Sequence, residues 1–111
     1  MKIIKNNFIP FEGYSAINLF GIVFTRQKSL SDRTINHEEI HTAQMKELWY
    51  VGFYLIYLLE YFLYSFKVDS KKAYHKISFE QEAYEYDNNP TYLKTRKKFK
   101  WFDYLKKNFG Y

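Results

Sequence analysis

The chain has no cysteine. Disulfides, thiolate metal sites, iron–sulfur clusters and cysteine nucleophiles are therefore excluded together. At 111 residues it has no room for two domains. A cleft between two lobes is excluded, so a site must be a shallow groove or be completed by a partner. There is no internal repeat and no low-complexity tract. The start, MKIIKNNFIPFEGY, carries two lysines but no sustained apolar stretch, and Pro10 and Glu12 interrupt it. No secretory signal is expected. Tryptophan is scarce, 2 residues against 12 Tyr and 11 Phe. With the Lys, Asn and Ile bias, that balance suits an AT-rich genome and points to no function. Acids are scarce in one place only. Residues 91–111 hold seven Lys/Arg and the single acid Asp103, whereas residues 1–90 hold ten bases and eleven acids. The net charge of +5 thus belongs to the tail.

What is present is enough apolar residue for a core, 47% of the chain. The longest apolar run, 48–66, contains one charge, Glu60. Its length approaches the ~20 residues that span a bilayer. Glu60 would then be costly inside hydrocarbon. The tyrosines at 50, 54, 57, 61 and 64 are spaced 4-3-4-3 and share one helix face. A buried helix is the favoured expectation, with membrane contact as the alternative.

Along the chain, residues 1–12 read as a short extended piece. Residues 17–25 (INLFGIVFT) read as the best strand. Ser31 or Thr34 could cap a helix over 35–48, and Gly52 marks a break. Further helices are expected over 53–66, 73–86 and 91–109, with 73–86 ended by Asp87-Asn88-Asn89-Pro90.

Residues 37–41 read His37-Glu38-Glu39-Ile40-His41, an HExxH pattern. Two histidines four apart project from one helix face and can bind one zinc ion. The glutamate next to the first histidine then lies beside the metal, placed to take a proton from its water. The plain alternative is two surface histidines on an amphipathic helix. A catalytic zinc site needs a third protein ligand and one open position. Glu47 follows His41 by six residues. It would serve only if a glycine at 44 turned the chain back, and the residue there is Gln44. On a continuing helix Glu47 lies about 9 Å further along and about 120° round, so it is rejected. His75, Glu60, Glu80 and Glu82 remain open from the residues alone. Glu60 is also suited to pairing with a base or a tyrosine, and the 80–85 acids to a solvated helix face.

HExxH followed downstream by a Glu-x-x-Ala helix resembles the gluzincin branch of the zinc metallopeptidases. The strings NHEEIHTAQ (36–44) and ISFEQEAY (77–84) resemble more closely a family of small bacterial HExxH proteins, zinc metallopeptidases without an assigned substrate. The resemblance covers roughly residues 13–105. It implies a zincin-like fold, His37, His41 and Glu80 as zinc ligands, and Glu38 as the catalytic base. It also implies a residue bracing a histidine at position 84, where Tyr84 replaces the family's acid. A peptidase further needs a strand edge for the substrate backbone, for which 17–25 could serve, and an oxyanion donor. Tyr74, His75 and Tyr84 are candidates for that donor. Gln44 could cap or pack.

The sequence therefore predicts one domain, 1–111, of α+β class and mainly helical: a small N-terminal sheet or hairpin, then three or four helices. Its last helix, 91–111, is basic and aromatic. The expected function is a zinc-dependent metallopeptidase hydrolysing peptide bonds through a zinc-activated water, with Zn2+ as cofactor and a peptide or protein as substrate. The alternative is a non-catalytic helical module on a membrane surface or a protein partner. The tail suits an anionic membrane surface, or a plain amphipathic helix closing the core; nucleic acid is not the expected partner. The expected location is the cytoplasm, with the inner membrane face as the surface for any lipid contact.

Overall fold

The computed structural model describes residues 2–9 and 15–110. Strand β1 (Lys2–Lys5), β2 (Ile17–Leu19) and β3 (Ile22–Thr25) form a sheet of order β1-β3-β2. β3 is central, parallel to β1 and antiparallel to β2. Segment 17–25, expected as one strand, is thus a hairpin. Phe20 and Gly21, at φ 54° and 88°, make its two-residue turn. Positive φ at both central positions matches the twist of the flanking strands. Phe20 bears a left-handed backbone because Tyr54 holds it. The Phe20 N–H donates to the Tyr54 hydroxyl at 2.8 Å, and the two rings pack with centroids 5.0 Å apart. The extended piece expected over 1–12 is strand as far as Lys5; Pro10 and its neighbours lie outside the described residues.

Six helices follow among the described residues, more than the three or four expected: α1 (Asp32–Glu47), α2 (Val51–Ser65), α3 (Ser70–Lys76), α4 (Ser78–Tyr86), α5 (Tyr92–Thr95) and α6 (Trp101–Asn108). Ser31 caps α1, its hydroxyl accepting from the Thr34 N–H at 3.1 Å. The turn between α1 and α2 falls before Gly52, at Trp49 and Tyr50, both at positive φ. Gly52 itself is helical. A Cβ there would sit 3.2 Å from the Cβ of Leu48, so glycine permits the close approach of the two helix ends.

The helices expected over 73–86 and 91–109 are each split. Ile77 is fully buried and extended (ψ 132°), which ends α3. α4 restarts because the Glu60 carboxylate accepts the Ser78 N–H at 2.9 Å and the Ser78 hydroxyl at 2.6 Å. In the tail, Arg96 is extended to reach buried carboxylates, and the Phe99 N–H turns to Glu47. These bonds outweigh helix continuity between α5 and α6.

The main core joins Met45, Phe53, Tyr64, Ile77, Phe79 and Trp101. The Phe79 ring lies between Phe53, at a centroid distance of 4.4 Å, and Trp101, at 4.9 Å. A second cluster, Ile40, Ala83 and Tyr92, fixes α4 against α1. α2 turns its tyrosine face inward, as the spacing predicts. It is not a buried helix, however, because its opposite face is exposed and apolar. No helix among the described residues is long and apolar enough to cross a membrane.

Candidate metal centre

α1 presents His37 and His41 one turn apart, and α4 packs against that face with Glu80 in its first turn. All three side chains are buried. The Nε2 atoms of His37 and His41 each lie 3.1 Å from Glu80 Oε1 and 3.2 Å from one another. Three donor atoms held about 2.0–2.1 Å from a tetrahedral zinc ion would be about 3.3 Å apart. The triangle therefore has the size of one face of such a site.

The outward ring nitrogens show what the inward ones carry. His37 Nδ1 lies 3.0 Å from Asp87 Oδ2, and a carboxylate can only accept, so the proton is on Nδ1. His41 Nδ1 lies 2.8 Å from Gln44 Oε1. The orientation of the Gln44 amide follows from its other end, where Nε2 donates to the Phe79 carbonyl and to Glu82 Oε1. His41 must then donate through Nδ1 as well. With neutral rings, two imidazole lone pairs and one carboxylate oxygen converge with no proton between them. Such a cluster demands a cation, either a metal ion or an added proton.

The electrostatics agree. Burial alone would push the His41 imidazolium down, but the Glu80 carboxylate beside it raises the group to about 9. Burial would likewise raise Glu80; the two histidines outweigh it and hold the carboxyl well below the usual carboxylate range. Burial raises the Glu38 carboxyl despite both histidines. The Tyr57 hydroxyl donates to the other Glu80 oxygen at 2.6 Å, leaving Oε1 for the cluster.

A cleft of about 450 Å³ reaches the cluster, with Glu38, His41 and Glu80 among its lining residues. Ile17, Leu19, Phe53 and Leu58 form apolar walls. β2 borders the cleft as an edge strand, tied to α1 where the Asn18 amide donates to the Glu38 carbonyl at 2.9 Å. The Asn18 carbonyl already accepts from the Tyr54 hydroxyl at 3.2 Å. Of the proposed oxyanion donors, Tyr74 lines this cleft, while His75 and Tyr84 line a neighbouring groove.

The other ligand candidates have different partners. Glu60 caps α4 and accepts from the Tyr64 hydroxyl. His75 is exposed. Glu82 is fully buried, but it accepts from Gln44, Tyr92 and Arg96. Glu47, already rejected, pairs with Arg96. The brace on His37 is Asp87, not Tyr84. Tyr84 sets its ring edge-on to His37 at 4.5 Å, and Asp87 makes the hydrogen bond. Asp87 stands seven residues after Glu80, two turns along the same face, which is the signal that could have found it. Tyr57 was visible only as one tyrosine in a stripe. Comparisons with protein-family models, with characterised proteins and with solved structures give no match.

Proposed function

We propose that the chain is a small zinc-dependent metallopeptidase with a zincin-like arrangement, in which His37, His41 and Glu80 hold the metal. The observation that carries this is the convergence of three lone pairs whose other polar atoms are already committed to Asp87, Gln44 and Tyr57. Zinc bound there would supply a Lewis acid for the scissile carbonyl and a water acidic enough to lose its proton near pH 7. Glu38, which lines the cleft, takes that proton on its carboxylate and returns it to the leaving amine; its raised affinity for protons suits both transfers. Tyr74, which lines the cleft with its hydroxyl 3.3 Å from that of Tyr84, is the donor we assign to the developing oxyanion. The apolar lining of the cleft favours apolar side chains, whereas the β2 edge is already engaged by Tyr54 at the Asn18 carbonyl and the Phe20 N–H.

The purified protein is expected to bind close to one zinc per chain, and His37→Ala or His41→Ala to abolish it. Glu38→Gln should retain zinc and fold yet slow cleavage of a peptide library by about 10²–10⁴-fold. Glu39→Gln should change neither. A protein that takes up no metal during zinc-supplemented purification would overturn the metal site. Full zinc occupancy with equal cleavage by Glu38→Gln and the unaltered chain would overturn the role of Glu38.

A further inference from the structure

Val51, Leu55, Leu58, Leu59, Phe62 and Phe66 are all exposed on α2 and its C-terminal cap. Their spacing of 4, 3, 1, 3 and 4 places them along one side of the helix, opposite the tyrosines. Trp49, 87% exposed, extends the row at its N-terminal end. Monomers in water rarely leave so continuous an apolar strip uncovered. The only charge between positions 49 and 66 is Glu60, which is buried beneath the helix.

The ends of the row are basic. Lys46 lies in the last turn of α1, and Lys67 follows α2 directly. The tail reaches the same C-terminal end. The Asn108 amide donates to the Tyr64 hydroxyl at 3.0 Å, and the Phe109 ring lies 6.2 Å from that of Tyr64. Tyr64 lies on the inward face of α2, so Lys106 and Lys107 of the last turn of α6 approach that helix end from behind the strip, and the bases that flank the strip in sequence are Lys46 and Lys67. Lys76 sits there too, its ammonium 5.2 Å from the Tyr64 ring centre. Asp69, which follows Lys67, is engaged in capping α3.

We propose that this face of α2 lies flat in the headgroup layer of an anionic lipid bilayer. An apolar strip with a tryptophan at one end and lysines at both ends fits that layer: the strip enters the acyl boundary and the bases meet lipid phosphates. A second copy is the poorer occupant. Pairing two such strips sets basic ends on basic ends, and the strip carries no exposed acid to neutralise them. Docking does not depend on the metal. One consequence does rest on the peptidase reading. Leu58 belongs both to the strip and to the wall of the cleft, so docking holds the cleft mouth at the bilayer surface. The substrate class is then a polypeptide segment lying on, or emerging from, the membrane.

The full chain is mixed with vesicles of phosphatidylglycerol and phosphatidylcholine, or of phosphatidylcholine alone. Co-sedimentation should be on the order of tenfold or more stronger with the anionic vesicles and should weaken with salt. Trp49 emission should shift to shorter wavelength, while Trp101, 5% exposed, reports little; Trp49→Phe should remove the shift. Leu55→Glu with Phe62→Glu should leave circular dichroism and zinc content unchanged and abolish vesicle binding. Glu38→Gln should bind vesicles as the unaltered chain does, which separates docking from catalysis. Equal binding to neutral and anionic vesicles, or none to either, would overturn the proposal. So would a dimer in solution that the double variant dissociates, since the strip would then belong to a second copy.

Discussion

At His37 and His41 the nitrogens facing away from the cluster decide as much as those facing into it. Asp87 and Gln44 fix the tautomers and so leave both Nε2 lone pairs free. Outer partners of this kind commonly change metal affinity by about 10–100-fold. Asp87→Ala should therefore weaken zinc binding by about that factor in a chelator competition. Arg33→Ala, which removes only the exposed partner of Asp87, should have little effect. Equal losses in the two variants would show that the ion pair, not the bond to His37, is what matters.

In the metal-free protein a proton takes the place of the cation. His41 is raised from its unfolded value near 6.5 to about 9, so the folded state binds the proton more tightly. Its stabilising contribution is complete below about 6.5 and is lost as pH rises through about 9. Glu80 is depressed, so its contribution is present above its unfolded value and fades in acid as pH falls through the folded one. Urea denaturation of chelator-treated protein should accordingly show stability falling between pH 6.5 and 9. The same series on His41→Asn should be flatter; an identical slope would place the titrating group elsewhere. At this scale the pairing of His37 with His41 was legible, because HExxH is a local pattern, whereas Glu80 was one of four open candidates that only the resemblance singled out. Asp87 was not legible, because it sits in an Asp-Asn-Asn-Pro run that reads as a helix stop.

Individual elements depend on polar groups far off in sequence. α4 has no side-chain cap of its own; its N-cap residue is Ile77. Glu60, eighteen positions before Ser78, does the capping from α2 through both oxygens. A carboxylate there also complements the positive end of the helix dipole. A periodicity window cannot see a cap supplied from another helix, which is why 73–86 reads as one helix. The same holds for the tail, where Glu47 captures the Phe99 N–H. The strand run 17–25 concealed its turn differently, since Phe20 is an unusual residue at positive φ. Glu60→Gln keeps the shape but loses the charge and one acceptor. It should lower stability by about 1–3 kcal/mol in urea denaturation. Because Glu80 lies two residues beyond Ser78, zinc affinity should fall as well. Unchanged stability would mean that α4 holds its start without Glu60.

The whole molecule is closed by one base of the tail. Seven Lys/Arg in residues 91–111 suggested a solvated basic helix, and six of them are compatible with that. Arg96 is not: its side chain is 6% exposed. It reaches Glu82 from α4 and Glu47 from α1, and the Tyr92 hydroxyl also donates to Glu82 at 2.7 Å. A net-charge count cannot separate one internal base from six external ones. Glu82 also accepts from Gln44, the residue that orients His41, so the tail and the His37–His41–Glu80 cluster share one network. Removing Arg96 strands two buried carboxylates, a change that typically costs about 3–5 kcal/mol, far more than an exposed pair contributes. Arg96→Met should therefore destabilise the fold by about that amount in denaturant. Arg96→Lys should recover only part, because a single ammonium cannot span both acids as the guanidinium fork does. Arg96→Met combined with Glu47→Gln and Glu82→Gln should be more stable than Arg96→Met alone, since no unpaired charge remains buried. If Arg96→Met unfolds at the same urea concentration as Lys98→Met, the tail is peripheral and the network linking it to His41 does not stabilise the protein.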